Sequence, residues 1–216
     1  LEFYICSNCR GQISYITGNQ CIRCGTALGP HTIITGKKGC TVCREKSLYF
    51  DAVTSITYYE GVVKTLLHKF KYARQKFLSA ILIDIILRDK RLYDIVPNVD
   101  MIIPVPLHWL KKMRRGFNQS ELLSQGVQKL FLKPISRNNL CRIKNTVSQT
   151  RLSKNQRQIN VRNAFFIKRP ELLKGKRILL IDDVLTTGVT ASECSKKLKE
   201  AGVQSVHLLI LAAARL

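Results

Sequence analysis

Beyond residue 50 the apolar positions change period repeatedly, and each change marks an element. Residues 52–59 (Ala-Val-Thr-Ser-Ile-Thr-Tyr-Tyr) are rich in β-branched and aromatic side chains, which predicts a strand. Val62, Val63, Leu66, Leu67 and Phe70 then recur at helical spacing. A second helix is expected over 76–88. A short buried strand at 101–105 is closed by Pro104 and Pro106, a helix follows at 120–132 and a strand at 164–167. Residues 177–182 carry four consecutive apolar residues, Ile178 to Ile181, and form the clearest buried strand. A turn-rich loop, a helix over about 191–200 and a last strand at 206–211 complete the chain. Strands alternating with helices predict an α/β fold, a mostly parallel, doubly wound sheet flanked by helices.

The stretch before residue 48 has a different character. Three Cys-x2-Cys pairs, Cys6/Cys9, Cys21/Cys24 and Cys40/Cys43, alternate with turn-rich polar segments. We therefore expect a small cysteine-rich domain at 1–48 and the main domain at 49–216. Cys21 and Cys24 followed after 15 residues by Cys40 and Cys43 is the spacing of a zinc ribbon, in which two knuckles bring four thiolates around a structural Zn²⁺. A module of this size has too little core to fold without metal. Cys6 and Cys9 offer a competing assignment, a single site shared with Cys21 and Cys24. His31 reads as a surface histidine, and the unpaired Cys141 and Cys194 as buried thiols.

Charge narrows the partners. Lys and Arg number 36 against 14 acidic residues, a net charge of +22, and such an excess favours polyanions through phosphate neutralisation and counterion release. No apolar run approaches the ~18 residues of a membrane span. No basic, apolar and small-residue succession marks a secretory signal, so a cytoplasmic location and no membrane span are expected. Eight cysteines without such a signal argue for metal ligands and thiols over disulfides.

The chemistry concentrates at Ile178-Leu-Leu-Ile-Asp-Asp-Val-Leu-Thr-Thr-Gly-Val-Thr190. An apolar strand ending in Asp182 and Asp183 delivers two carboxylates to the carboxyl edge of the sheet, where ligands of open α/β sheets bind. Gly188 permits positive φ, and successive amides at a helix start form an anion nest to which three threonines add hydroxyls. A phosphate nest beside an acidic pair suits a ribose 5-phosphate. The run resembles the signature of type I phosphoribosyltransferases, which bind phosphoribosyl pyrophosphate (PRPP). That resemblance implies that Asp182 and Asp183 are the catalytic pair on the ribose hydroxyls. It implies further that Leu185, Thr186, Thr187, Gly188, Val189 and Thr190 form the 5-phosphate loop, and that Mg²⁺ accompanies PRPP.

A second block runs from Ile103-Pro-Val-Pro-Leu-His108 through Lys111-Lys-Met-Arg-Arg-Gly-Phe-Asn-Gln-Ser120, and on to Arg142, Gln149, Arg157 and Asn160. Its first part reads as a strand end delivering a basic, Gly-containing turn onto a helix capped near Asn118, with Glu121 in its first turn. Arg114, Arg115, Asn118, Gln119, Gln149 and Arg157 are candidates to neutralise a pyrophosphate or grip a DNA backbone. Trp109 and Phe117 flank the basic run as base-stacking rings would, although core packing is the commoner fate of either. Together the blocks resemble the ComF/ComFC family of competence proteins. The resemblance implies a PRPP-binding fold coupled to handling of incoming single-stranded DNA, with partners extending to a DNA-uptake helicase. The other reading of the same residues is an active phosphoribosyltransferase, for which no segment that reads an acceptor base is evident.

Overall fold

The computed structural model describes residues 5–29, 39–146 and 159–215. Its sheet is built from β1 (Ala52–Tyr58), β2 (Met101–Pro104), β5 (Arg177–Leu185) and β6 (Ser205–Ala213), in the order β1-β6-β5-β2 and parallel throughout. Ile178 to Ile181 of β5 are wholly buried, as a strand covered on both faces requires. Alternation divides them: Leu179 and Ile181 join one core, Ile178 and Leu180 the other.

The first core is covered by α2 (Gly61–Tyr72), α3 (Ser79–Leu87) and α6 (Gln119–Phe131), and the second by α7 (Val189–Glu200). α3 and α6 approach closely at Gly126, where an added Cβ would lie 2.4 Å from a methyl of Ile83. Outside the main sheet, β3 (Leu140–Arg142) and β4 (Phe165–Ile167) pair antiparallel. Short helices α1 (Ser7–Gly11), α4 (Leu92–Ile95) and α5 (Trp109–Arg115) complete the described elements used below.

Both sheet edges are covered. On the outer side of β1 the Ile16 amide donates to the Ile56 carbonyl and the Tyr58 amide to the Ser14 carbonyl, each at 2.9 Å. The side-chain amide of Gln20 then takes the place of a strand backbone. It donates to the Ser55 carbonyl at 2.7 Å and accepts from the Ser55 amide at 3.1 Å. Residues 13–22 are thus fastened along β1, with Ile13 and Ile16 in the cores. At the other edge, Ile102 of β2 exchanges hydrogen bonds with Pro134 and Ser136.

Two expectations change here. The run 111–115, read as a turn, is helical: His108 caps α5 by accepting from the Leu110 amide, and Gly116 ends it in the left-handed region at φ 86°. β5 also does not stop at Asp182. Its pairing with β6 continues through Val184 and Leu185, so both carboxylates are carried on the strand itself.

Candidate functional site

At the carboxyl edge of the sheet, β5, α2, α5, α6 and β3 enclose a cavity of about 350 Å³. Asp182 and Asp183 form its floor, Thr186 and Thr190 one wall, and Lys71, Lys111, Arg115 and Arg142 approach from the others. Each arrives by a local cause. Lys71 sits in the last turn of α2, where the helix dipole favours a cation, and its neighbour Phe70 is buried and stacked on Phe117 with centroids 4.8 Å apart. Arg115 ends α5, Ser120 opens α6, and Arg142 closes β3.

The carboxylates are held differently. Asp182 accepts from Ser120 Oγ at 2.8 Å and from the Asp183 amide at 2.9 Å. Burial, then the charge of Asp183, pushes the Asp182 carboxyl up to about 7 against these bonds and against Lys71. Asp183 is buried and ion-paired to Lys71, its Oδ2 2.8 Å from Nζ. Burial alone would lower the Lys71 ammonium, but Asp183 and Asp182 hold it above its ordinary value.

The opposite wall is crowded with positive charge. Burial, then Arg142 and Arg115, brings Lys111 down to about 8, while its Nζ donates to the Thr146 carbonyl at 2.7 Å. Burial likewise lowers Arg115 and Arg142. Arg142 Nε is buried with no hydrogen-bond partner among the described residues, in a wall that faces the cavity. Cations held this close without matching acids suit a multiply charged anion.

Residues 184–191 wrap a smaller hollow of about 40 Å³ beside Asp182. Gly188 stands at φ 79° as the cap of α7, so the hollow lies at a helix start. Thr186 and Thr190 face the large cavity, whereas Thr187 lies on the far side of the loop, near Leu48 and Cys24. Ser192 of α7 donates to the Ser47 carbonyl and accepts from the Tyr49 amide, both at 3.2 Å, which ties the cysteine-rich module to the back of the loop.

In that module the sulfurs of Cys21, Cys24, Cys40 and Cys43 all lie within 4.8 Å of one another and all four residues are buried. Three of the six separations, 3.5 Å for Cys24–Cys40, 3.8 Å for Cys21–Cys43 and 3.9 Å for Cys40–Cys43, lie near the ~3.8 Å edge of a tetrahedron with metal–sulfur bonds of ~2.3 Å. Burial would raise the Cys21 thiol, yet backbone amides of Cys40, Cys24 and Arg23 bring it down to about 7. The residues fit Zn²⁺. Cys6 and Cys9 stand apart from this cluster, Cys6 capping α1 with its sulfur. Of the two readings of the cysteines, the single site shared by Cys6, Cys9, Cys21 and Cys24 is therefore not the one formed.

Mg²⁺ fits less well. Asp183 is engaged by Lys71 and Asp182 by Ser120, so an ion seated directly on the pair would have to displace the ammonium.

A phosphoribosyl transferase domain model matches residues 115–215. "Competence protein F" of Haemophilus influenzae is 32% identical over 214 residues, covering 97% of this chain and 90% of that protein. The chain belongs to the ComF/ComFC family. Other members it resembles include "DNA utilization protein YhgH" of Salmonella typhi, at 29% identity with coverage of 96% and 89%. "Competence protein ComFC" of Bacillus subtilis follows at 28%, covering 95% and 83%. No helix among the described residues is long and apolar enough to cross a membrane.

Within this ComF-family chain the residues singled out from sequence separate. Asp182, Asp183, Thr186, Thr190, Arg115, Asn118 and Gln119 line the large cavity. Asn118 is spent on structure, donating to the Val105 carbonyl and accepting from the Ser120 amide, and Gln119 accepts from Arg115. Leu185 packs its side chain into the core, leaving only backbone for a ligand. Arg114 is exposed and outside the lining. Gln149, Arg157 and His31 lie outside the described residues.

Phe117 is core, but Trp109 is 60% exposed because α5 buries none of its side chains. Cys194 is buried as expected, and Cys141 is only partly so. Lys71, Lys111, Ser120 and Arg142 had no role assigned from sequence. Lys111, Ser120 and Arg142 fall inside the basic block, whereas nothing local distinguishes Lys71 from its neighbours.

Proposed function

We propose that this chain binds PRPP or a related sugar phosphate at the β5 edge and acts in handling incoming single-stranded DNA during natural transformation. The observation that carries the reading is the convergence on one cavity of an acidic pair, a helix-start loop with two threonines, and four cations from elements far apart in sequence. The pair accepts from ribose hydroxyls, the loop takes the 5-phosphate, and Lys111, Arg115 and Arg142 face the diphosphate. Mg²⁺ enters this reading as the counter-ion that a diphosphate carries. The Cys21, Cys24, Cys40 and Cys43 cluster holds structural Zn²⁺.

The reading has a pH signature. Lys111 loses its proton near 8 in the free site, and a bound polyanion favours the protonated form. Above about pH 8 affinity for PRPP is therefore expected to fall by up to tenfold per pH unit, while below about 7 protonation of Asp182 weakens it separately. Calorimetric titration across this range checks it. A Lys111→Arg variant, charged throughout, should flatten the fall at high pH.

For DNA, α5 exposes Trp109, Met113 and Arg114, on the same helix as the cavity-lining Lys111 and Arg115. One stacked base is worth about 1–3 kcal/mol. Combining Trp109→Ala with Arg114→Glu is expected to weaken single-stranded DNA binding about tenfold or more and to lower the salt slope. Lys197→Glu, on a lysine paired with Glu200 at 2.7 Å, should do much less. Equal losses in fluorescence titration would mean that diffuse charge alone attracts the strand. A DNA-uptake helicase is the partner to which such a strand would pass.

The second reading, turnover of PRPP, is favoured by the cation wall, which would stabilise departing pyrophosphate. Release of pyrophosphate on addition of candidate acceptors tests it.

A further inference from the structure

The Lys71–Asp183 pair lies at the centre of the cavity, and its consequence rests on the reading of that cavity as a phosphoribosyl site. We propose that Lys71 is the resident cation of the acidic pair, a positioning residue that does for Asp183 what a divalent ion would otherwise do, so that the site takes PRPP without needing Mg²⁺.

Geometry supports this first. Nζ lies 2.8 Å from Asp183 Oδ2, with the two side chains only 15% and 5% exposed. The ammonium is not a swinging surface group, since Phe70 beside it is wholly buried and stacked on Phe117. Magnesium demands near-ideal octahedral ligands at about 2.0–2.1 Å and keeps several waters. Placing it on Asp183 would require expelling Lys71 from its partner.

Charge points the same way. Among the described residues the lining carries four cations, Lys71, Lys111, Arg115 and Arg142, against two acids, Asp182 and Asp183. An excess of positive charge repels a free divalent cation and already complements an anionic ligand. A site with a bare acidic pair would instead need an ion to relieve repulsion between adjacent carboxylates. Here the relief is covalently tethered.

The test is titration calorimetry of the full zinc-loaded chain with PRPP. One buffer is freed of Mg²⁺ by chelating resin, since soluble chelator would also strip zinc, and another contains millimolar Mg²⁺. The wild type is expected to bind with affinities within about twofold of each other. Lys71→Met is expected to bind at least about tenfold more weakly without Mg²⁺ and to recover part of the loss when Mg²⁺ is added. Lys71→Arg, which restores the charge, should stay metal-independent.

Lys71→Met leaves Asp183 unpaired, so its fold is checked by circular dichroism. Should it not fold, Lys71→Gln, which keeps a hydrogen-bond donor toward Asp183 without the charge, takes its place with the same expected loss and partial recovery. Wild-type binding only in the presence of Mg²⁺, or unchanged metal-free affinity in Lys71→Met, overturns the role of Lys71 while leaving the cavity a PRPP site. No binding of PRPP in either buffer overturns the site reading itself, and the role of Lys71 with it.

Discussion

Near pH 8, Asp182→Asn is expected to melt a few degrees above the wild type while losing PRPP affinity by about a hundredfold. The stability gain follows from the folded carboxyl holding its proton to about 7. The unfolded chain releases that proton near 4. Between these limits the native state binds more protons, so stability declines as pH rises through the window, and above it the ionised Asp182 is a standing cost. Asparagine removes the charge and can still accept from Ser120 Oγ and the Asp183 amide. We expect a gain on the order of 1–3 kcal/mol above pH 7 and little below pH 4, read from melting curves at several pH values. The affinity loss follows because a carboxylate facing sugar hydroxyls accepts charge-assisted hydrogen bonds that an amide does not. Asp183→Asn should behave oppositely. It strands the enclosed Lys71 ammonium, and breaking such a pair costs about 3–5 kcal/mol. If the two variants melt alike, the unequal roles of the two acids are wrong.

The second large effect concerns zinc. One Zn²⁺ per chain is expected by native mass spectrometry; its removal by chelator is expected to expose four reactive thiols, Cys40→Ser three, and either change to unfold the module around them. The effect should not stay local. Leu48 lies 3.7 Å from where a side chain at Gly188 would begin, and Ser192 bonds to residues 47 and 49. With that support gone, PRPP affinity is expected to drop about tenfold although the sheet remains folded. Circular dichroism keeping its helical signal while calorimetry shows unchanged affinity would uncouple the module from the loop.

The sheet was readable because its central strands are apolar, with His207 the one interruption in these two runs. Ile178 to Ile181 and the run at 206–211 carry no other plausible fate. β5 was read short because Asp182 and Asp183 break the hydrophobic run, while backbone pairing with β6 continues past them regardless of side chain. α5 escaped because it buries nothing: Lys111 to Arg115 show no apolar stripe, and only His108 and Gly116, its two caps, mark it. The site divides along the same line. The acids and the loop are contiguous in sequence and announce themselves, whereas Lys71 and Arg142 acquire meaning only when α2 and β3 are brought against β5.

The side chain of Gln20 standing in for a strand backbone has a practical consequence. Because residues 14–22 pair most of the outer row of amides and carbonyls of β1, a chain begun at the composition change near 48 would present a largely open template along 53–58. Such a fragment invites pairing between copies, strand against strand. Aggregation of the isolated segment 49–216 would therefore report a lost selvedge, not a defective interior.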